Sequence, residues 1–559
     1  MHIGTGNNLE PFEYILEKGM FHRLSQQKAF TLAVEKHPDF AERFDTWLDE
    51  NTKALENEKR NIEQNRIRAR FNLRDFARNE LKDPDLAASI VNSGTMYSFP
   101  AKFGFTVTRQ VSECIKTPLA KGYIPGSSIK GFIRTALLFA ALKRMEPSKA
   151  AALIHKCRHT DHWNNPSRKG RLDEQLLNEV FVCGSPGEHK RRSDSLADLM
   201  KFIRVSDTEL IDGGLVVVPA GMFLTDKLPQ RQVNPQEALD RGSVLSFSLT
   251  VNSTEIMTIY KARHKAWTGL QQKFRLVFDI DLASVNPAEL EEKLNQSILQ
   301  AVTAFSSAIL QAERDWLARY RHTVMVKSRD GDEKKPNADI SVIRSFYSSL
   351  PDGKCLARIG WGSGFMATTV FAYLSGTEEL KTFALELLHH FGIGVPYTMK
   401  HDATKQVKSL DRFPKSKRLA SRSESRPVYP FGWVVILPSD ESFDLPSIDE
   451  NLEAAPYLGS APQKPEVKKL TEEEYISQYT GKKHTSGAII VAKYLGSQGR
   501  RVAVLLCDND YRSDKYYKDY FTISYGDVEV LKKEQLFYVK VKEIKGNKIT
   551  AVDFSGLIR

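Results

Sequence analysis

The stretch GYIPGSSIKGFIR, residues 122–134, does most to limit what this chain can become. Its proline and glycines make a turn, and a helix must begin directly after it. Ser127 or Ser128 can accept an orphan backbone N–H at that helix start. Ile129, Phe132, Ile133, Ala136, Leu137 and Ala140 recur at helical spacing, which predicts a helix over 127–144 with one face in a core. Lys130 and Arg134 stand one turn apart on another face. Helix N-terminal amides with two cations beside them suit a phosphate group. Gly122 and Gly126 leave room for close approach, whereas Gly131 costs about 1 kcal/mol relative to alanine unless packing or a ligand offsets it. The plain alternative is a capped surface helix carrying two solvated cations. The GxxxxGK[ST] pattern is missing, so a nucleotide-hydrolysing loop has no support.

At 559 residues the chain is too long for one ordinary core, and two or more domains are expected. Lys and Arg exceed Asp and Glu by 11, a balance that suits a polyanionic partner. Five scattered cysteines without a CxxC fit a reducing, cytoplasmic setting better than a disulfide framework. There is no apolar run of membrane-spanning length and no secretory signal pattern.

Along the chain, residues 9–50 read as helix and 51–90 as a charged, exposed helical stretch. Residues 155–200 read as a polar insertion. Strands are expected at IDGGLVVVP, SVLSFSLTV and 275–284, with EIMTIYKARH extending the same sheet. Long helices follow at 288–320 and 378–391, with loop and strand between them at 353–372. Domain organisation is read as a first region, 1–225, with a helical insertion near 20–90, and a second region, 226–436, with a glycine-rich loop. An acidic linker, 437–480, then leads to a β-rich block, 481–559. Five short strands in that block suggest a small OB-like barrel.

Two further stretches suit nucleic acid. In RIGWGSGF, residues 358–365, Arg358 leads into Gly360, Gly362 and Gly364, and Trp361 is placed to stack on a base. A tight turn with its rings in the core is the plain reading. Residues 401–426 hold eight basic and three acidic residues, with Lys415, Lys417 and Arg418 next to Phe413. Basic and aromatic residues together fit a single-stranded backbone, although a solvated loop explains the charge almost as well. The block 482–559 leans the same way, with 15 Lys/Arg against 9 Asp/Glu.

Signals for chemistry are weaker. Cys157, His159 and His162, with Cys183 and His189 later, match no strong zinc spacing. Asp194, Asp198 and Asp207 could hold magnesium or cap helices. His2 and His22 could serve as acid or base only if they reach a ligand. No catalytic residue, cofactor or metal site is assigned.

HIGTGNNLEPFEYIL (2–16), YIPGSSIKGFIRTALL (123–138), FIRVSDTEL (202–210), RIGWGSGF (358–365), FPKSKRL (413–419) and YPFGWV (429–434) stand in an order that resembles the RAMP proteins of type III CRISPR effectors. The likeness is greatest to the family of the fifth subunit of the type III-A Csm complex. It implies an α+β chain of degenerate RRM-like (ferredoxin-like) folds with helical insertions. It also implies a noncatalytic subunit that caps the backbone filament, binds the 3′ part of the crRNA and supports crRNA maturation. Its partners would be crRNA, the repeated backbone RAMP subunit and the small subunit, with target RNA and host nucleases as further partners and no membrane. Under this resemblance Gly122, Gly126, Ser127, Ser128, Lys130 and Arg134 are the first RNA-contact group. Arg358, Gly360, Trp361, Gly362 and Gly364 come next, followed by Lys415, Lys417 and Arg418. Members of the family carry a strand ahead of the HIGTG motif, which here follows Met1 directly. The charged region 45–85 and the loop 155–200 look like expansions, and 440–559 extends beyond the resemblance. Two other readings stay open: a RAMP endoribonuclease that processes repeat RNA, and a protein-binding adaptor.

Overall fold

The computed structural model describes residues 1–57, 71–103, 110–158, 171–184, 197–211, 213–225, 227–228, 230–328, 331–395, 406–423, 425–449, 485–496, 501–504, 519–522, 536–545 and 548–557. The chain divides into two compact units, Met1–Ala454 and Ala455–Arg559.

The first unit is built on a six-stranded sheet. Its members are β1 (Gly4–Leu9), β5 (Val111–Cys114), β7 (Leu215–Leu224), β8 (Gln230–Leu239), β13 (Ser416–Ser423) and β14 (Arg426–Pro430). They lie in the order β1-β5-β8-β7-β13-β14, and only the β5–β8 pair is parallel. Between β5 and β7 the chain crosses over through helix α5 (Gly126–Arg144), and β7–β8 is a hairpin. A strand, a crossover helix and a hairpin whose far strand pairs in parallel with the first thus form the middle of the sheet. The strands of the expected second region do not stand apart, because β13 joins the edge of β7.

The expected 127–144 helix forms from Gly126, and Ile129, Phe132, Ile133, Ala136, Leu137 and Ala140 are all buried. Phe132 and Phe139 meet Phe305 of a long helix, α10 (Leu290–Arg319), with ring centroids 5.5 and 5.3 Å apart. This contact joins the N-terminal and central parts of the chain into one core.

Three expectations are corrected. Residues 9–50 are not helical throughout: β2 (Tyr14–Glu17) and β3 (Met20–Leu24) form a hairpin with β4 (Thr95–Pro100) beside it. Lys18 and Gly19 both take positive φ, the geometry of a two-residue hairpin turn. Helices follow it, α1 (Gln26–Lys36), α2 (Phe40–Asn57), α3 (Leu73–Asn79) and α4 (Pro84–Gly94), and build a core of their own around Phe40, Phe76 and Ile90. The strand expected at 275–284 is instead the end of a helix, Leu270–Phe278, with Phe274, Val277 and Phe278 turned to the core. EIMTIYKARH is also helix, Ser253–Ala262, because Asn252 caps it through the Glu255 amide.

The acidic segment 437–449 has no regular structure, yet it packs on the first unit. Ile448 is buried with Val342 and Val428, and the Pro446 carbonyl accepts from Arg241. The rest of the expected linker lies outside the described residues.

The second unit holds β16 (Ile489–Gly496), β17 (Arg501–Val504), β18 (Asp519–Thr522), β19 (Leu536–Lys545) and β20 (Lys548–Leu557). They form one antiparallel sheet in the order β18-β17-β16-β19-β20, and its two edges, β18 and β20, approach each other. Phe537, Val539 and Val541 alternate into its core with Ile490 and Ala492. Among the described residues no helix is long and apolar enough to cross a membrane.

Candidate nucleic-acid interface

The start of α5 is already occupied by the protein itself. Pro125 stands at the helix boundary, and the Gly126 amide donates to the Asp207 carboxylate at 2.7 Å. A Cβ at Gly126 would lie 2.3 Å from the Val205 carbonyl, so this glycine serves backbone packing. Lys130 donates to the Ile203 carbonyl at 2.7 Å, and burial pushes its pKa down. Arg134 pairs with Asp198 at 2.6 Å and lies over Phe181. Gly122 is buried against Leu215 and Leu239. Ser127 is exposed and Ser128 is half-buried, and neither caps the helix. The expected phosphate site is therefore corrected: Asp207 holds the helix amide, and both cations tie α5 to the segment 198–207. Asp198 and Asp207 act as caps and ion-pair partners, while Asp194 lies outside the described residues.

Gly131 is exposed and a Cβ there would meet nothing within 4 Å, so no packing contact explains it. Gly131→Ala should raise the stability of the first unit by about 0.5–1 kcal/mol, read as a higher midpoint in urea.

Arg358 and Lys417 are also corrected. Both face inward and converge on one carboxylate, Glu313 of α10. The Arg358 and Glu313 side chains are 0% and 2% exposed, and Lys417 is 7% exposed, so neither cation is available to a ligand. Tyr347 donates to the same carboxylate at 2.9 Å. Arg358 also donates to the Gly362 carbonyl at 3.1 Å and to the Phe431 carbonyl at 3.3 Å. It thereby clamps the glycine loop to the sheet. Burial alone would raise the Glu313 carboxyl, but Arg358, Lys417 and Tyr347 outweigh it and hold the group far below its ordinary range. Burial pushes the Lys417 ammonium down, and the Glu313 charge offsets this only in part.

The glycine loop itself is a built object. Gly360, Gly362 and Gly364 have φ of 85°, 81° and 84°, which disfavour any residue with a Cβ. A Cβ at Gly360 would lie 2.4 Å from the His2 carbonyl, and one at Gly362 would lie 2.9 Å from the Phe431 side chain. The loop delivers Trp361, whose amide donates to the His2 carbonyl at 2.8 Å. The Trp361 ring meets Phe431 edge-on at 5.2 Å and stays half-exposed. Above it lies Arg418 of β13, exposed, with its guanidinium 5.0 Å from the ring centroid. Strand alternation separates Arg418 from its neighbour: Lys417 points into the core and Arg418 points out. No hydrogen bond or ion pair of the Arg418 side chain is found among the described residues. Lys415 is half-buried just before the same strand, where its carbonyl accepts from the Thr225 amide.

The candidate acid–base groups are spoken for. His2 is buried, with Nδ1 2.6 Å from the Glu237 carbonyl, and His22 Nδ1 is 2.8 Å from Ser98 Oγ. Cys157 is buried in the core, while His159, His162 and His189 lie outside the described residues. Among the described residues no three His, Cys, Asp or Glu gather as a metal site.

Residues 103–366 match the model of the RAMP superfamily. A Streptococcus thermophilus relative named CRISPR system Cms protein Csm5 is 23% identical over 289 residues, which cover 50% of this chain and 68% of the relative. Among solved structures, a chain in the cryo-EM structure of a Csm–crRNA–target RNA ternary complex of a type III-A CRISPR-Cas system shares the fold. It has a TM-score of 0.50 at 21% identity and covers 78% of this chain and 97% of its own. The crystal structure of T. onnurineus Csm5 gives a TM-score of 0.48 at 20% identity, with coverage of 78% and 98%. Over residues 103–366 the chain is therefore similar to the RAMP superfamily, over 289 residues it is similar to a relative named Csm5, and it shares its fold with a chain of the Csm–crRNA–target RNA complex.

Proposed function

We propose that this chain is a noncatalytic, crRNA-binding subunit of a cytoplasmic type III-A effector complex. In this reading it caps the end of the backbone filament, holds the 3′ region of the crRNA and supports crRNA maturation. The repeated backbone RAMP subunit and the small subunit are its neighbours, and target RNA and host nucleases are further partners. The observation that carries the reading is the Arg418–Trp361 pair. A guanidinium with no acidic partner among the described residues lies over a half-exposed ring, within a loop braced by three positive-φ glycines. Such a pair offers a phosphate a charge and a base a flat surface. The RAMP match and the likeness to a chain of a crRNA-containing complex support the same assignment.

The test is binding of the full chain to crRNA-like single strands across a salt series, with RNA integrity followed in the same samples. Affinity should fall with salt, with a log–log slope of about −0.7 for each phosphate contacted. The RNA should remain intact, and Arg418→Ala should weaken binding several-fold. Defined cleavage products would replace this reading with the endoribonuclease. Binding that is absent or indifferent to salt would favour the protein-binding adaptor.

A further inference from the structure

The Arg418–Trp361 pair does not stand alone. Phe103, Trp361 and Tyr429 are three half-exposed rings packed on a single apolar cluster that contains Val216, Val218, Ala220 and Ala420. Each ring has an arginine over it. Arg418 lies 5.0 Å from the Trp361 centroid, Arg422 lies 5.5 Å from Phe103, and Arg241 lies 5.5 Å from Tyr429. Arg418 and Arg422 come from the same strand, about 13 Å apart at strand spacing. Tyr429 sits opposite Ala420, between them along the strand. The residues meet only in the fold: Phe103 follows β4, Arg241 follows β8, and Trp361 belongs to the glycine loop.

We infer that this row is a stacking track for an unpaired RNA segment, read base by base without regard to sequence. A guanidinium near a ring can present a plane on which a nucleobase stacks while its charge meets the neighbouring phosphate; Arg418 and Arg422 are the pairs that would do so, since Arg241 also donates to the Pro446 carbonyl. Lysine would supply the charge without the plane. The spacing of the pairs along the sheet suits successive nucleotides of an extended strand and does not suit the rigid backbone of a duplex. The inference rests on the reading above that the chain binds RNA, and it adds where the bases lie and what the protein recognises in them.

The experiment uses the full chain, a fluorescent short oligoadenylate, and an abasic ribose-phosphate strand of equal length. The wild-type chain should prefer the base-bearing strand by at least about tenfold. Arg418→Lys with Arg422→Lys should remove most of that preference, with a much smaller fall in affinity for the abasic strand because the charge is kept. Phe103→Leu, which keeps the apolar cluster filled, should lower affinity for oligoadenylate without touching Arg418 or Trp361. Thermal melts of each variant establish that it is folded. Equal affinity for both strands in the wild type, or lysine variants that keep the preference, would overturn the track while leaving RNA binding itself standing. A chain that binds neither strand would overturn both readings.

Discussion

Replacing Glu313 by glutamine should destabilise the first unit by about 3–5 kcal/mol, the largest effect expected of any near-isosteric change in this chain. The side chain is almost unchanged in shape, so packing is not what is lost. Arg358 and Lys417 would remain buried, side by side, with no charge to compensate them. Solvent cannot screen them, because neither is appreciably exposed. Arg358 holds the Gly362 and Phe431 carbonyls, and Lys417 precedes Arg418 on β13. A disturbance at Glu313 is therefore transmitted to both sides of the Arg418–Trp361 pair. Urea denaturation followed by tryptophan fluorescence measures the loss. A midpoint within error of the wild type would show that the three groups do not depend on one another.

The same carboxylate gives the variant a pH signature. The Glu313 pKa is lowered from 4.5 to about 2 in the folded chain, so folding favours the charged form. Its contribution is complete above pH 4.5 and is lost as the pH falls from there towards 2. That loss is about 3 kcal/mol for a shift of this size. Lys417 acts in the opposite range: its pKa is lowered from 10.5 to about 8, so its own contribution rises as the pH climbs between those values. Between pH 4.5 and 2 the wild type should lose stability more steeply than Glu313→Gln, and the two curves should converge at the acid end.

What the sequence showed and what it hid follow from where each residue finds its partner. The α5 stripe was legible because Ile129, Phe132, Ile133 and Ala136 report a local period. The glycine loop was legible because three glycines in five residues have few uses other than positive φ or close approach, and here they serve both. The stretch around 275–284 was ambiguous in itself. Phe274, Leu276, Phe278 and Ile280 alternate as a strand would, while Phe274, Val277 and Phe278 also fit a helix face, and tertiary packing chose the helix. Arg358 and Lys417 looked like ligand contacts because their partner, Glu313, lies 45 and 104 positions away. For Lys417 a further signal was available: neighbours on a strand face opposite ways, so Lys417 and Arg418 could not both point outward. Phe103, Arg241 and Tyr429 carried no motif at all. Only the order β8-β7-β13-β14 brings them onto one face.

Gly360→Ala is the second large effect, and it separates the loop's shape from its charge. Alanine at this position would have to keep a φ of 85°, which costs about 1–3 kcal/mol for a residue with a Cβ. Its Cβ would also lie 2.4 Å from the His2 carbonyl, a backbone atom that cannot swing aside. That carbonyl accepts the Trp361 amide, so relief of the clash must move the ring that Arg418 covers. The variant should therefore lose at least about 2 kcal/mol of stability. It should also bind single-stranded RNA as weakly as Arg418→Ala, although every charge is intact. Gly364→Ala is the control: its φ of 84° also disfavours a residue with a Cβ, but a Cβ there meets nothing within 4 Å. Gly364→Ala should lose stability without a comparable loss of RNA affinity. If both variants lost affinity equally, the loop would act through its flexibility; if Gly360→Ala bound RNA like the wild type, Trp361 would not belong to the interface. The difference between two alanines four residues apart thus reads out whether the placement of one ring, and not the basic charge of the surface, decides the proposed RNA binding.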